Sequence, residues 1–265
     1  MQNAQDFHTA GSAKLAGGVY RNIHVSGSCT LQGKVECLSV HVSGSMHAQD
    51  ALFCEGKLSV SGSCHIDGAS RAGDMHVSGA CHIGGAHEGK LFSISGSANV
   101  HGDLTATAIK VSGSCHVKES IHSEQINISG TLSAGKDCEA ERFKAYQVNI
   151  EGLLNAEDVE IILPWGNLGA KPATVGSIGG NRINVHRQEI LEGFNLFGLF
   201  RTKSLRQLRT KVIEGEDIYL ENTVAEVVRG TRVIIGSGCN IKRVEYTQSC
   251  DISPDAKVEG QEKTA

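Results

Sequence analysis

The histidines of this chain recur at intervals that suit metal binding. Twelve are present, and the two regular sets are His47, His65, His82 and His116, and His24, His41 and His76. Imidazoles at the same point of a stacked repeat come close enough to share a metal ion such as Zn²⁺. Thr30, Asn99 and Ser133 interrupt the first set, and no carboxylate recurs beside it to orient the rings. We therefore interpret the histidines as solvated surface residues and expect neither a metal nor a cofactor.

Cysteine is the second potentially reactive residue type. The nine cysteines form an odd number, and no C-x-x-C motif occurs. Cys29, Cys64, Cys81 and Cys115 share a repeat position with Met46, Ala98 and Leu132. This company indicates small buried hydrophobic residues rather than a redox or metal site. Because Met1 to Lys14 lacks the apolar stretch of a signal peptide, we expect free thiols and a cytoplasmic protein.

The histidines and cysteines are positioned by a short repeat. A phrase of the form Val/Ile-Ser-Gly-Ser/Ala/Thr-x occurs seven times, at steps of 17 or 18 residues. The copies are Val25–Cys29, Val42–Met46, Val60–Cys64, Val77–Cys81, Ile94–Ala98, Val111–Cys115 and Ile128–Leu132. A unit this short cannot bury an apolar face alone, so it must stack on its neighbours as a solenoid.

The apolar positions within each repeat predict a three-sided coil. Stepping forward by six from Val25 reaches Leu31 and then Cys37, and the following step to Val42 is five. Side chains also alternate with a period of two, which is the pattern of a strand with one buried face. We predict an all-β fold, a single-stranded triangular parallel β-helix of coils of about 17 residues, with the glycine of each phrase where a side chain would not fit.

The rhythm and composition divide the chain into five segments. We predict a polar N-terminal tail at 1–18, a main β-helix at 19–163, a loop with an apolar and basic insert at 164–213, a second β-helical block at 214–258 and a tail at 259–265. The insert provides candidate membrane or partner contacts, namely Phe194, Leu196, Phe197, Leu199, Phe200 and Arg201. Its basic amphipathic character suits an anionic membrane surface, while packing on the prism or over an end of it is the alternative.

The overall charge excludes one class of partner. The formal net charge is −4 and the pI is about 6.3, so no basic excess indicates nucleic-acid binding. The sequence also contains no phosphate-binding loop or dinucleotide fingerprint. We therefore expect no nucleic-acid partner and no assembly step driven by a nucleotide.

The short coils and the Val/Ile-Ser-Gly-Ser punctuation resemble the bactofilins, the polymer-forming bacterial cytoskeletal proteins. The resemblance covers about residues 20–160, and the runs Ile218–Thr223 and Arg232–Cys239 look like the longer two-block members of Gram-positive bacteria. It implies a right-handed β-helix that polymerises end to end without nucleotide, as a scaffold in cell shape, polar organisation or motility. The implied partners are further copies of the chain, a related bactofilin and the inner face of the cell membrane.

Elementary physics gives the same expectation of self-assembly. A β-helix ends in unpaired strand edges, onto which another copy can stack by strand addition. We expect the N-terminal coil to be the open end, with Val19, Ile23 and Val25 as assembly residues, and the C-terminal block to be capped. The expected function is therefore structural rather than enzymatic.

Two enzyme classes and one adaptor role remain as alternatives. His47, His82 and His87 resemble the spacing of the metal-binding histidines in gamma-class carbonic anhydrases, which are trimeric triangular β-helices. Hexapeptide-repeat acyltransferases share the three-sided fold, but they need near-strict 18-residue coils and a general-base histidine. A membrane-surface adaptor acting through Phe194 to Phe200 is the third alternative.

Overall fold

A computed structural model describes residues 4–164, 171–188 and 206–264 of the chain. In these ranges every regular element is a β-strand, and the chain divides into two compact units, 1–140 and 141–265. The strands that begin in the first unit are β1 (Gln5–Thr9), β2 (Ala13–Val25), β3 (Cys29–Cys37), β4 (Ser39–Val42), β5 (Met46–Ala48), β6 (Leu52–Val60), β7 (Cys64–Ile66), β8 (Ser70–Val77), β9 (Ala80–Ile83), β10 (His87–Val100), β11 (Leu104–Val117), β12 (Ile121–Ala134) and β13 (Cys138–Leu163).

Each coil of the first unit has three inward faces. In β11 the buried residues come in pairs two apart, Leu104 with Ala106, Ile109 with Val111, and Cys115 with Val117. Alternate residues of a strand point to opposite sides, so each pair marks one short face and the unpaired step between pairs marks a corner. The predicted triangular division of the coil is confirmed.

Successive coils stack in parallel and in register. Ile94 pairs with Val111, 17 residues on, and Val42 pairs with Val60 in the one longer repeat. Equivalent side chains therefore form columns that run from coil to coil, about 4.8 Å apart. The predicted inward column is buried throughout: Cys29, Met46, Cys64, Cys81, Ala98, Cys115 and Leu132. The chain is a β-solenoid, as predicted.

The second unit uses shorter coils in its middle part. Its remaining strands are β14 (Ala173–Arg187), β15 (Leu208–Leu220), β16 (Thr223–Ile235), β17 (Asn240–Ile252) and β18 (Lys257–Lys263), each parallel to the next. Leu208, Ile213 and Ile218 pair with Thr223, Val228 and Val233, at an offset of 15 residues. A buried residue every five positions replaces the longer division of the first unit. Asn222, with a φ of 44°, makes the tight corner between β15 and β16.

The strands extend beyond several of the predicted segment boundaries. Strand β1 and the first half of β2 lie in the stretch 1–18 that was predicted to be a polar tail. Strand β14 lies within the stretch 164–213 that was predicted as loop and insert, and β18 runs past residue 258. The physical reason is the same in each case, because these strands are held by pairing to a neighbouring coil rather than by a long apolar run.

Candidate functional site

The N-terminal edge of the first unit lies one coil earlier than the sequence predicts. In β1, Phe7 pairs with Ile23 and Thr9 pairs with Val25. Ile23 and Val25 are therefore core residues, 1% and 0% exposed, while Val19 is 52% exposed. The prediction that Ile23 and Val25 form the open end is corrected, and a Val25→Arg substitution would disturb the core. The missed signal is the likeness of Phe7-His8-Thr9 to Ile23-His24-Val25.

Polar side chains fix β1 onto the next coil. The Asp6 carboxylate accepts a hydrogen bond of 2.9 Å from Arg21 Nε and another of 2.9 Å from Asn22 Nδ2. The hydrogen-bonded Arg21 guanidinium holds the pKa of Asp6 well below its usual range. All three residues lie at the surface, so these contacts set the register of β1 more than they add stability.

The outer side of β1 presents backbone groups that can pair with another strand. The Thr9 carbonyl accepts a hydrogen bond of 3.1 Å from Ser26 N, so the peptide groups of Thr9 face β2. Peptide groups alternate along a strand, and those of His8 therefore face away from β2. Of the described strands, only β2 pairs with β1. Half-buried Phe7 lies beside this edge with no further coil over it.

The second unit has a comparable edge at its C-terminal strands. Within the described residues, β18 pairs with β17 alone. Cys250, Ile252 and Val258 continue inward columns but are only half-buried, unlike Val233 and Ile235 in the preceding coil. The expectation that the C-terminal block is capped therefore does not hold for the residues described.

The apolar and basic insert cannot be placed. Its candidate contacts, Phe194, Leu196, Phe197, Leu199, Phe200 and Arg201, lie outside the described residues. None of the described residues belongs to a helix that is long and apolar enough to cross a membrane.

The first histidine set stacks on an outer face of the first unit, as its spacing predicts. His47 pairs in register with His65, and His65 with His82. The His65 and His82 rings stack with centroids 4.4 Å apart, and His47 meets His65 edge to face at 5.0 Å. Asp67 joins this set at the following turn. Its Oδ2 lies 3.0 Å from His47 Nε2 and its Oδ1 lies 2.8 Å from His65 Nε2.

These contacts shift two pKa values in the set. The hydrogen bond from His47 lowers the pKa of Asp67, and the charge of His65 adds to this effect. Desolvation lowers the pKa of His82, and the neighbouring His65 and His101 act in the same direction. The Asp67 carboxylate is therefore ionised at neutral pH beside two imidazoles. Sequence spacing missed it because an acid occurs at this turn in only one coil.

His87 lies inside the first unit, apart from the other histidines. It is 1% exposed, and its Nδ1 lies 2.8 Å from Ser70 Oγ in the coil below. Its Nε2 is buried without a hydrogen-bond partner, and desolvation lowers the pKa of His87 to about 4. Because His47 and His82 lie on the outer face, the three histidines that resemble a carbonic anhydrase set do not converge.

The inward thiols are shielded rather than activated. All nine cysteines are free, and eight are buried. Burial raises the pKa of Cys29 to about 11 and of Cys115 to about 12. A thiol is nucleophilic only as the thiolate, so these groups are unreactive at neutral pH.

Comparison with known proteins adds two relatives. The chain is 37% identical over 113 residues to the uncharacterized protein YhbF of Bacillus subtilis (strain 168). It is also 37% identical over 114 residues to the uncharacterized protein YhbE of the same strain. Each match covers 43% of this chain, and 41% and 44% of the respective relatives, so the chain spans less than half of their length. No family model and no solved structure matches the chain.

Proposed function

We propose that this protein is a structural scaffold that self-assembles by strand addition at the ends of its solenoid, without nucleotide, in the manner of the bactofilins. The observation that carries the proposal is the uncovered edge of β1, where the peptide groups of His8 face away from β2. A parallel strand from another copy satisfies those groups and covers Phe7 in one step.

The uncovered edge at β18 provides a second surface for the same reaction. A contact that joins the β1 edge of one copy to the β18 edge of another uses two different surfaces, so it repeats without closing and produces a filament. Half-buried Cys250, Ile252 and Val258 become fully buried in such a contact. The apolar area that they lose to water supplies the driving force for assembly.

Replacing His8 with proline is expected to prevent assembly while leaving the fold intact. Proline removes the one N–H of this residue, which faces the outer edge, and does not disturb the bonds between β1 and β2. The matched control is His8→Ala, which loses the side chain but keeps the N–H. The lost bond and the bulk of the ring should raise the critical concentration for assembly at least about tenfold.

The measurement is electron microscopy and sedimentation of the purified chain without nucleotide, with circular dichroism to verify the β fold. We expect filaments from the parent and His8→Ala proteins, and dispersed protein from His8→Pro. A parent protein that stays monomeric at high concentration, or that forms only closed dimers, would contradict the proposal. Filaments from His8→Pro at the parent concentration would show that the β1 edge is not used.

A further inference from the structure

The outer face of the first unit combines two columns of residues that meet productively at one coil. The first is the histidine column described above, and the second is the turn position that follows the same face. Backbone hydrogen bonds from each turn residue to the preceding coil keep that second column in register, for example Asp67 N to Ala48 O at 2.8 Å. The turn column contains Gln49, Asp67, Gly84, His101, Lys118 and Gly135. Asp67 is its one acid, and it lies beside two stacked histidines.

The donor atoms of this cluster converge on a small volume. One nitrogen of His47, one nitrogen of His65 and one carboxylate oxygen of Asp67 all lie within 4.8 Å of one another. Ligand atoms around tetrahedral zinc, with bonds of about 2.0–2.1 Å, lie about 3.3 Å apart. The two separations to the carboxylate, 3.0 Å and 2.8 Å, are already close to that value. A small rotation of the exposed rings is enough to surround an ion.

The chemistry of the three groups selects the kind of ion. Two imidazoles and one carboxylate suit Zn²⁺ and its neighbours in the first transition row, and they suit Ca²⁺ or Mg²⁺ poorly because those ions prefer oxygen ligands. The side chains of His47, His65 and Asp67 are 45%, 49% and 42% exposed, so the remaining coordination positions are open to water. His82, stacked on His65, restrains the ring that binds.

We propose that His47, His65 and Asp67 form a surface site for a divalent transition-metal ion, with Zn²⁺ as the favoured occupant. The ion would be bound by the Nε2 atoms of both histidines and by the Asp67 carboxylate. Since His47 belongs to one coil and the other two ligands to the next, the ion bridges consecutive coils of the first unit. The site is separate from the β1 edge and does not depend on the scaffold function.

The test is calorimetric titration of the untagged full-length chain with Zn²⁺. The parent protein is expected to bind one ion at this site. The variant His47→Gln/Asp67→Asn should bind it at least about a hundredfold more weakly, because two of three ligands are lost, more than the 10–100-fold typical of losing an outer partner. The matched control is His24→Gln/His41→Gln, which removes a second stacked pair, with ring centroids 4.9 Å apart, and leaves the cluster untouched.

A spectroscopic readout separates this site from binding elsewhere on the chain. Co²⁺ substituted for Zn²⁺ should give visible ligand-field bands in the parent and in the His24→Gln/His41→Gln protein, and the bands should disappear in His47→Gln/Asp67→Asn. Circular dichroism of the three proteins should be the same, since all the altered side chains lie at the surface. Failure of the parent to bind Zn²⁺, or equal affinity in the cluster variant, would overturn the proposal. Neither result bears on whether filaments form.

Discussion

Replacing Gly113 with alanine is expected to reduce the free energy of unfolding by about 3 kcal/mol or more, which corresponds to a fall in Tm of about 10 °C. The glycines of the Ser-Gly phrase stack directly on one another. A Cβ built on Gly62 would lie 2.7 Å from the Gly44 carbonyl oxygen, and one built on Gly79 would lie 2.6 Å from that of Gly62. At Gly113 the clash with the Gly96 carbonyl is closer still, and the φ of 137° is one that residues with a side chain rarely adopt.

The cost is high because neither partner can move aside cheaply. The obstructing atom is a backbone oxygen of a strand that is fixed on both sides, and not the end of a flexible side chain. The same is true one coil away, where the Gly79 carbonyl that faces Gly96 also accepts a hydrogen bond from Ser97 N. Relieving the clash would therefore separate two coils and break their ladder of hydrogen bonds.

The same substitution at an open glycine is the control. A Cβ on Gly11 would have its nearest neighbour at 4.0 Å, so Gly11→Ala should change Tm little. Thermal unfolding followed by circular dichroism compares the two variants with the parent protein. Equal Tm values for Gly113→Ala and Gly11→Ala would mean that the glycine column is not set by steric exclusion.

The period of the first unit was predictable because stacking in register forces equivalent positions to take equivalent residues. Val25, Val42 and Val60 repeat for that reason, and so do the glycines that follow them. Strand β1 was missed because Phe7-His8-Thr9 has the alternation of the repeat without its Ser-Gly phrase. The 15-residue offset of β15 and β16 was missed for a related reason, since the five-residue spacing of Leu208, Ile213 and Ile218 has no such punctuation.

The candidate sites were predictable only as far as the period extends. Spacing alone placed His47, His65 and His82 in one outward column, and the structure confirms it. The approach of Asp67 depends on the direction of a side chain at a corner, and a period does not specify that. The interior position of His87 follows from its register with Leu104, but a histidine in an apolar column contradicts the composition rule by which core positions are recognised.

Stability of the first unit is expected to fall as the pH drops from about 6.5 to about 4, because of His87. Burial lowers the pKa of His87 to about 4 in the folded chain, whereas an unfolded histidine titrates near 6.5. Between these values the unfolded state binds the proton and the folded state does not, so acid favours unfolding. The contribution lost between pH 7.5 and pH 4.5 is about 2.5 kcal/mol.

The structure offers a variant that removes this dependence without emptying the core. His87 stacks between Ser70 and Leu104 in one inward column, so His87→Leu continues the leucine of the next coil. Ser70→Ala in the same protein avoids leaving the hydroxyl of Ser70 without its partner. Urea unfolding at pH 7.5 and pH 4.5 should show a smaller loss of stability in the double variant than in the parent, by about 2.5 kcal/mol.

Comparing the two proteins at both pH values isolates His87 from the carboxylates, which titrate in both of them. His116→Gln serves as the control, because that histidine is exposed on the outer face and its loss should leave the parental pH dependence intact. If the double variant lost as much stability in acid as the parent, the buried imidazole would have to be solvated or paired on protonation. The unpartnered Nε2 beside the ring of Phe92, with ring centroids 5.0 Å apart, argues against that outcome.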